Sequence, residues 1–379
     1  MERSRFTIFV RALEGGGAQR DSILLANGLA RLGMEVTIIS LKTDGGLRPL
    51  VCDGVRIVKI PAQKLRSAVR ALRRTIKSVR SDFLLSSEAA QNVVTSIAVS
   101  SLRARERPHL VLREVASPSA ARQLDPYIQN RLAYRCLGWF YRRADHVLTL
   151  TDGARDDLIR NFGVPSERVS VIGSNAVIDD ITYQRLASWD GETGREKGLI
   201  VCIGRLSHEK GQLTLVEAMA RLPGDLDCRV VIAGDGPLRE ALEERIHTLG
   251  LCGRVTLIGQ VYDPFAWIMR AELVINCSLY EGFGNVLVES LACGTPVIAT
   301  DCPFGPREIL MHSKYGTLFP IGDASALAYA ITQTLGQPVD RRALQRRAEG
   351  HTHVRAASAL IEICRLSAKN AAIRTIRQA

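Results

Sequence analysis

The sequence predicts an α/β protein of two doubly wound parallel-sheet domains. Strand-like and helix-like segments alternate along the chain twice over. The 379 residues exceed what one ordinary core organises. A polar, turn-rich stretch at 179–197 (DDITYQRLASWDGETGREK), without sustained periodicity, parts the two runs and reads as a linker. The expected units are therefore 1–180 and 195–350, with 351–379 as a terminal segment.

The first run opens with the strand FTIFVRAL (6–13), the loop EGGGAQ and a helix from about Ala18 to Leu32. EVTIISL (35–41), HLVLREV (109–115) and HVLTLT (146–151) continue it as strands. The second run holds GLIVCIGRL (198–206), RVVIAG (229–234), RVTLIG (254–259), ELVINCS (272–278), TPVIATD (295–301) and GTLFP (316–320). From about Ala356 to Ile376 the pattern is that of an amphipathic helix.

A composition of 46% hydrophobic and 23% charged residues supports sizeable cores and excludes a largely disordered chain. No run of 18 apolar residues occurs, and MERSRFTIFVRAL reads as a strand interrupted by Arg11 rather than as a leader, so the expectation is a cytoplasmic, non-spanning protein. Nine cysteines lie scattered without a C-x-x-C pair and read as reduced packing residues. Charge is uneven: residues 1–190 carry 29 Lys+Arg against 19 Asp+Glu, and residues 191–379 carry 21 against 20. The basic first half implies an anionic partner: acidic lipid, a pyrophosphate-linked acceptor or nucleic acid.

Segment 64–80, KLRSAVRALRRTIKSVR, concentrates that charge with seven cations and no acid, and sets Leu65, Val69, Leu72, Ile76 and Val79 at helical spacing. It reads as a basic helix whose apolar stripe packs on the sheet, with a polar face free to touch lipid headgroups at roughly 1 kcal/mol per cation. No aromatic platform is interleaved with the cations, which argues against nucleic acid.

The stretch 276–301, NCSLYEGFGNVLVESLACGTPVIATD, places Glu281 and Glu289 eight positions apart across a glycine-bracketed turn opening a helix. A helix start presents free N–H donors that favour anions, and carboxylates beside it accept hydrogen bonds from hydroxyl groups. A sugar nucleotide offers both. Arg205 and Lys210 follow the first strand of the second run, at the sheet edge where open α/β folds bind ligands. Two cations there can neutralise a leaving diphosphate. Gly15, Gly16 and Gly17 follow the first strand and let backbone approach a phosphate, but Arg20 stands where a dinucleotide fingerprint needs a third glycine. Asp225 and Asp227 form a D-x-D pair before RVVIAG, at the opposite sheet edge, and read as a solvated loop, so no metal site is expected.

The glutamate pair, GRLSHEKG (204–211), AGDGP (233–237) and CPFGPREIL (302–310) together resemble the retaining glycosyltransferases of family 4. That resemblance implies the GT-B fold, two Rossmann-like domains facing across a cleft, with a terminal helix crossing back to the first domain. It implies catalytic roles for Glu281, Lys210 and Arg205, and donor binding by Gly16, Gly17, Gly282, Phe283, Gly284, Asn285 and Glu289. Glu281 would contact the donor sugar and Glu289 the ribose hydroxyls. Tyr262, Asp263 and Pro264 border the nucleobase or form a surface turn. Many family members carry a histidine where Val115 and Ala116 stand here, leaving Arg113 and Glu114 as the polar groups on the acceptor or sugar side, or as ordinary salt-bridged residues. The implied partners are a nucleotide-sugar donor and a saccharide or lipid-linked saccharide acceptor, with peripheral contact to anionic membrane and no cofactor. A GT-B-like sugar-nucleotide epimerase and a non-catalytic membrane-associated module remain alternatives.

Overall fold

A computed structural model describes residues 4–124 and 128–378. It divides into two compact units, residues 1–179 with 351–379, and residues 180–350.

The first unit is built on a parallel sheet of β1 (Arg5–Ala12), β2 (Glu35–Lys42), β3 (Val55–Lys59), β4 (Phe83–Ser87), β5 (His109–Arg113), β6 (His146–Thr149) and β7 (Val169–Val171), in the order β3-β2-β1-β4-β5-β6-β7. β3, β4 and β7 lie outside the four strands that the sequence pattern gives. Each has a local reason for escaping notice: β3 is an edge strand carrying Arg56 and Lys59, β4 ends in two serines, and β7 is three residues long. Serines read as turn formers, yet Ser86 and Ser87 are buried, with Ser86 Oγ held by Thr95 at 3.1 Å. The helix Gly17–Arg31 covers the sheet and receives the helix His353–Gln378, where a side chain at Gly28 would strike the His353 carbonyl.

Segment 64–80 forms a short 3₁₀ turn at Leu65–Ser67 and a helix at Val69–Val79. Leu72 and Ile76 are buried, the helix packs on the helix Ala89–Ser100, and all seven cations of the segment are exposed. Lys77 is paired with Glu106 at 2.8 Å.

The second unit carries β8 (Glu196–Ile203), β9 (Arg229–Ala233), β10 (Val255–Gly259), β11 (Ala271–Asn276), β12 (Val297–Thr300) and β13 (Thr317–Phe319), in the order β10-β9-β8-β11-β12-β13, again all parallel. Ile200, Ile232, Leu273 and Ile275 form its core with Leu215 and Met219 of the helix Gln212–Met219 and Leu327 and Ile331 of the helix Ala324–Thr334. The expected irregular linker at 179–197 is corrected: it holds the helix Asp180–Ser188 and the first residues of β8, and the division between units falls at 179/180. The turn residues gathered at 189–195 masked that helix. Asp190 accepts from the Glu192 and Thr193 N–H groups, a tight turn that directs the chain from helix to strand.

Each sheet winds outward from its centre in both directions. The reversal lies between β1 and β4 in the first unit and between β8 and β11 in the second. At such a switch point the loops leaving the two strands diverge and open a crevice at their carboxyl ends.

Candidate functional site

In the second unit the loops after β8 and β11 meet at that crevice. β8 runs into residues 204–211, which turn through a 3₁₀ segment at His208–Lys210 before the helix Gln212–Met219. Gly211 sits at φ 60°, and a Cβ there would come within 2.2 Å of the Cys277 carbonyl oxygen, so only glycine lets the β8 loop close against the end of β11. The contact is locked by the Leu279 N–H bonding the Glu209 carbonyl at 2.8 Å.

This closure brings Lys210 Nζ to 2.6 Å from Glu281 Oε1. The same oxygen accepts from Ser278 Oγ at 2.7 Å and Asn276 Nδ2 at 3.2 Å, and none of the three bonds uses Oε2. Burial pushes the Glu281 carboxyl up, but the ammonium and the two neutral donors outweigh it and hold it below the ordinary glutamate value. Burial pushes Lys210 down, and Glu281 more than reverses this, so the ammonium lies above its ordinary value. The pair is therefore ionised at neutral pH. Glu281 is buried, whereas the Lys210 side chain keeps 29% of its surface open.

Arg205 is exposed in the same loop, its carbonyl fixed by Gln212 Nε2 at 2.8 Å. Gly282, Phe283 and Gly284 form a buried turn; Gly284, at φ 102°, precedes the helix Asn285–Ala292, which starts at Asn285 and buries Glu289. His208 is exposed. Asp263 caps the helix Pro264–Arg270 and pairs with Arg185 at 2.6 Å, while Tyr262 is exposed. Asp225 and Asp227 lie exposed just before β9, at its amino end, and among the described residues no cluster of three or more His, Cys, Asp or Glu could hold a metal. The cysteines are free thiols, and burial pushes Cys202 and Cys302, both near Lys210, up to about 12, which suits packing rather than nucleophilic duty.

The remaining sequence candidates belong to the first unit. Gly16 and Gly17 are exposed where β1 passes into the helix Gly17–Arg31, and Gly16 adopts φ 149°. Arg113 and Glu114, read as polar groups on the acceptor or sugar side or as ordinary salt-bridged residues, are both held by protein partners. Each is 1% exposed. The Arg113 guanidinium is held by the Asp21 carboxylate and the Asn175 side-chain oxygen. Glu114 accepts from Tyr141 Oη at 2.6 Å and from the Val115 and Ala116 N–H groups at 3.0 and 2.9 Å. Burial pushes its carboxyl up to about 7. These bonds fix the loop after β5.

Sequence reasoning missed Asn276 and Ser278, which fasten Glu281, and Asp21, Asn175 and Tyr141, which fasten the first unit's pair. Asn276 left a trace, a polar residue closing the apolar run of β11. Asp21 left none, because one acid among helix residues gives no hint of a partner 92 positions away.

Comparison with known proteins fits this geometry. The family description "Glycosyl transferases group 1" matches residues 187–351 and "Glycosyl transferase 4-like domain" matches residues 16–175. The chain is 29% identical over 344 residues to a lipopolysaccharide core biosynthesis glycosyltransferase of Rhizobium meliloti, covering 89% of this chain and 90% of that protein. It is 28% identical over 244 residues to N-acetylgalactosamine-N,N'-diacetylbacillosaminyl-diphospho-undecaprenol 4-alpha-N-acetylgalactosaminyltransferase of Campylobacter jejuni, a match spanning 64% of this chain and 65% of that one. Among solved structures, Anabaena Alr3699/HepE in complex with UDP and glucose superposes with a TM-score of 0.75 at 21% identity, over 95% of this chain and 99% of the other. The two matched families, the two parallel sheets and the shared fold lead to one conclusion: the chain belongs to the glycosyltransferases of the GT-B fold.

Proposed function

We propose that this protein moves a hexosyl or N-acetylhexosaminyl group from a nucleotide-diphosphate donor, UDP-linked, to a saccharide or lipid-linked saccharide acceptor of a cell-surface polysaccharide. Retention at the anomeric carbon, membership of family 4 and independence from divalent ions are part of this reading. The observation that carries it is the partly open Lys210–Glu281 pair at the switch point of the second sheet, 2.6 Å apart and flanked by Arg205.

The donor's bond from anomeric carbon to phosphate oxygen breaks, and that oxygen keeps the electron pair. Lys210 and Arg205 stabilise the charge that develops on the diphosphate, a term worth most in the transition state. Glu281 Oε2 accepts a hydrogen bond from a hydroxyl of the donor sugar, and Glu289 accepts hydrogen bonds from the ribose hydroxyls. The acceptor oxygen forms the new bond on the same face and its proton passes to the leaving phosphate. Gly16 and Gly17 contribute phosphate contacts from the first unit. Peripheral contact with anionic lipid, through the cations of the helix Val69–Val79, would bring a lipid-linked acceptor within reach; among the described residues no helix is long and apolar enough to cross a membrane.

A thermal-shift panel of UDP-, GDP- and ADP-linked sugars tests the donor first, since a ligand at 100 times its dissociation constant stabilises the fold by about 2.7 kcal/mol. A UDP-sugar should stabilise the protein and release UDP slowly to water and faster with acceptor. A panel without response, or conversion of the sugar with the nucleotide still attached, overturns the reading.

A further inference from the structure

In the first unit, the outward face of the helix Ile128–Tyr141 has an unusual composition. Tyr134, Leu137 and Tyr141 bury one side of this helix. On the other side an ordinary surface helix would be polar. Instead Ile128 is 67% exposed, Leu132 51% and Trp139 48%, and their spacing stacks them in one row. Arg135 is exposed within that row, and the Arg143 guanidinium lies 3.8 Å over the Trp139 ring. Residues 128–143 hold four arginines and no acid. The helix Ala89–Ser100 packs against this helix on one side and against the helix Val69–Val79 on the other, and exposes Ile97. One layer of helices thus carries both an apolar row and a bank of cations.

We propose that this helix face is a membrane-insertion surface: Ile128, Leu132 and Trp139 enter the boundary between headgroups and acyl chains of an anionic bilayer, while Arg135 and Arg143 stay with the lipid phosphates. The inference rests on the reading of the first unit as membrane-contacting and deepens it, because electrostatic attraction alone gives weak, salt-reversible binding and stable docking takes a second, apolar signal. Trp and Arg share the chemistry of that boundary, each with an apolar body and a polar end. A second copy of this chain fits less well, since pairing this face with itself would oppose arginine to arginine in a protein of formal charge +11.

The test uses the full chain with Trp189→Phe and Trp267→Phe, leaving Trp139 as the single tryptophan of the three. Vesicles of phosphatidylcholine with phosphatidylglycerol are prepared with brominated acyl chains. Trp139 fluorescence should shift blue and be quenched by the bromines, and vesicles of phosphatidylcholine alone should give little of either. Adding Ile128→Ser and Leu132→Ser should weaken vesicle partition by roughly tenfold with an unchanged circular-dichroism melt. Three results would each overturn the assignment: vesicle binding without quenching, which leaves the cations as sole anchor; unchanged partition in the serine variant; or a dimer in solution that Trp139→Ser dissolves. Nucleotide-sugar turnover assayed without vesicles reports separately on the glycosyltransferase reading.

Discussion

Each unit holds a cation–carboxylate pair near the carboxyl ends of its strands, and the two pairs have opposite access to solvent. In the first, Arg113 ends β5 and binds Asp21, with 1% and 2% of the side chains exposed; Asn175 accepts from the guanidinium and the Ala176 N–H donates to Asp21. In the second, Lys210 and Glu281 keep 29% and 8%, and one carboxylate oxygen stays outside the network. Chemistry alone does not separate them. Access does: a sealed pair bound by protein groups holds a loop, whereas an ammonium open on one side can turn towards a ligand phosphate without breaking the fold.

The comparison breaks most visibly at Arg113. Arg113→Ala leaves Asp21 buried and uncompensated, which should cost about 3–5 kcal/mol of unfolding free energy. Denaturant titration measures it. Adding Asp21→Asn should recover part of the loss, since an amide oxygen still accepts the Ala176 N–H while the stranded charge is gone. A variant that keeps its stability but loses turnover would instead place Arg113 in contact with substrate.

Lys210→Ala should act in the other currency. Turnover falls by roughly 10²–10³, equivalent to about 2.7–4 kcal/mol, while donor affinity changes less, because the charge Lys210 meets is largest in the transition state. Glu281→Ala should be comparably slow, and arginine should replace Lys210 poorly, its planar fork being unsuited to a point contact. Normal turnover at saturating donor with only a raised KM would make the lysine a uniform binding contact.

Titration sharpens the contrast because the signs oppose. Glu114 is raised from 4.5 to about 7 in the folded state, so the fold binds its proton more tightly than the unfolded chain. Its stabilising contribution is full below pH 4.5 and is lost as pH rises to about 7, a fall on the order of 3 kcal/mol. Glu281 is lowered, so its contribution is present above its unfolded value and lost as pH falls through the folded one. Stability measured against pH should flatten between 4.5 and 7 in Glu114→Gln. An unchanged profile in that variant would assign the slope to other groups.

Legibility in the sequence followed the same divide. All six strands of the second sheet could be read, because each is an apolar run ending in glycine, proline or polar residues that mark its carboxyl edge. Three strands of the first sheet could not, since β3 carries edge cations, β4 ends in serines and β7 is too short for a period. Lys210 and Glu281 were legible as residues but not as a pair: 71 positions separate them, and only the parallel β8–β11 pairing and Gly211 bring them together. Arg113 and Glu114 were legible in place but not in their partners. They sit at the carboxyl end of β5, but their burial depends on Tyr141, Asp21 and Asn175, whose approach no local pattern records.

The smallest expected effect concerns the D-x-D pair, Asp225 and Asp227, which neither region uses. If the open pair and Arg205 supply the positive potential for the leaving diphosphate, no divalent ion is needed, and turnover in EDTA should stay near its untreated value. Asp225 and Asp227 sit exposed at the amino end of β9, whereas Lys210 and Glu281 sit at the carboxyl ends of β8 and β11. An ion held by them would lie a strand's length from the leaving group, where a point charge is screened by solvent at distances near the Debye length of roughly 8 Å. Asp225→Asn with Asp227→Asn should therefore match the parent in rate and in its indifference to added magnesium or manganese. Loss of turnover in EDTA that either metal restores would end the proposal that these cations suffice. If the double asparagine variant also abolished that restoration, the acids at the amino edge would be the metal's ligands, and the site would have to be redrawn around them.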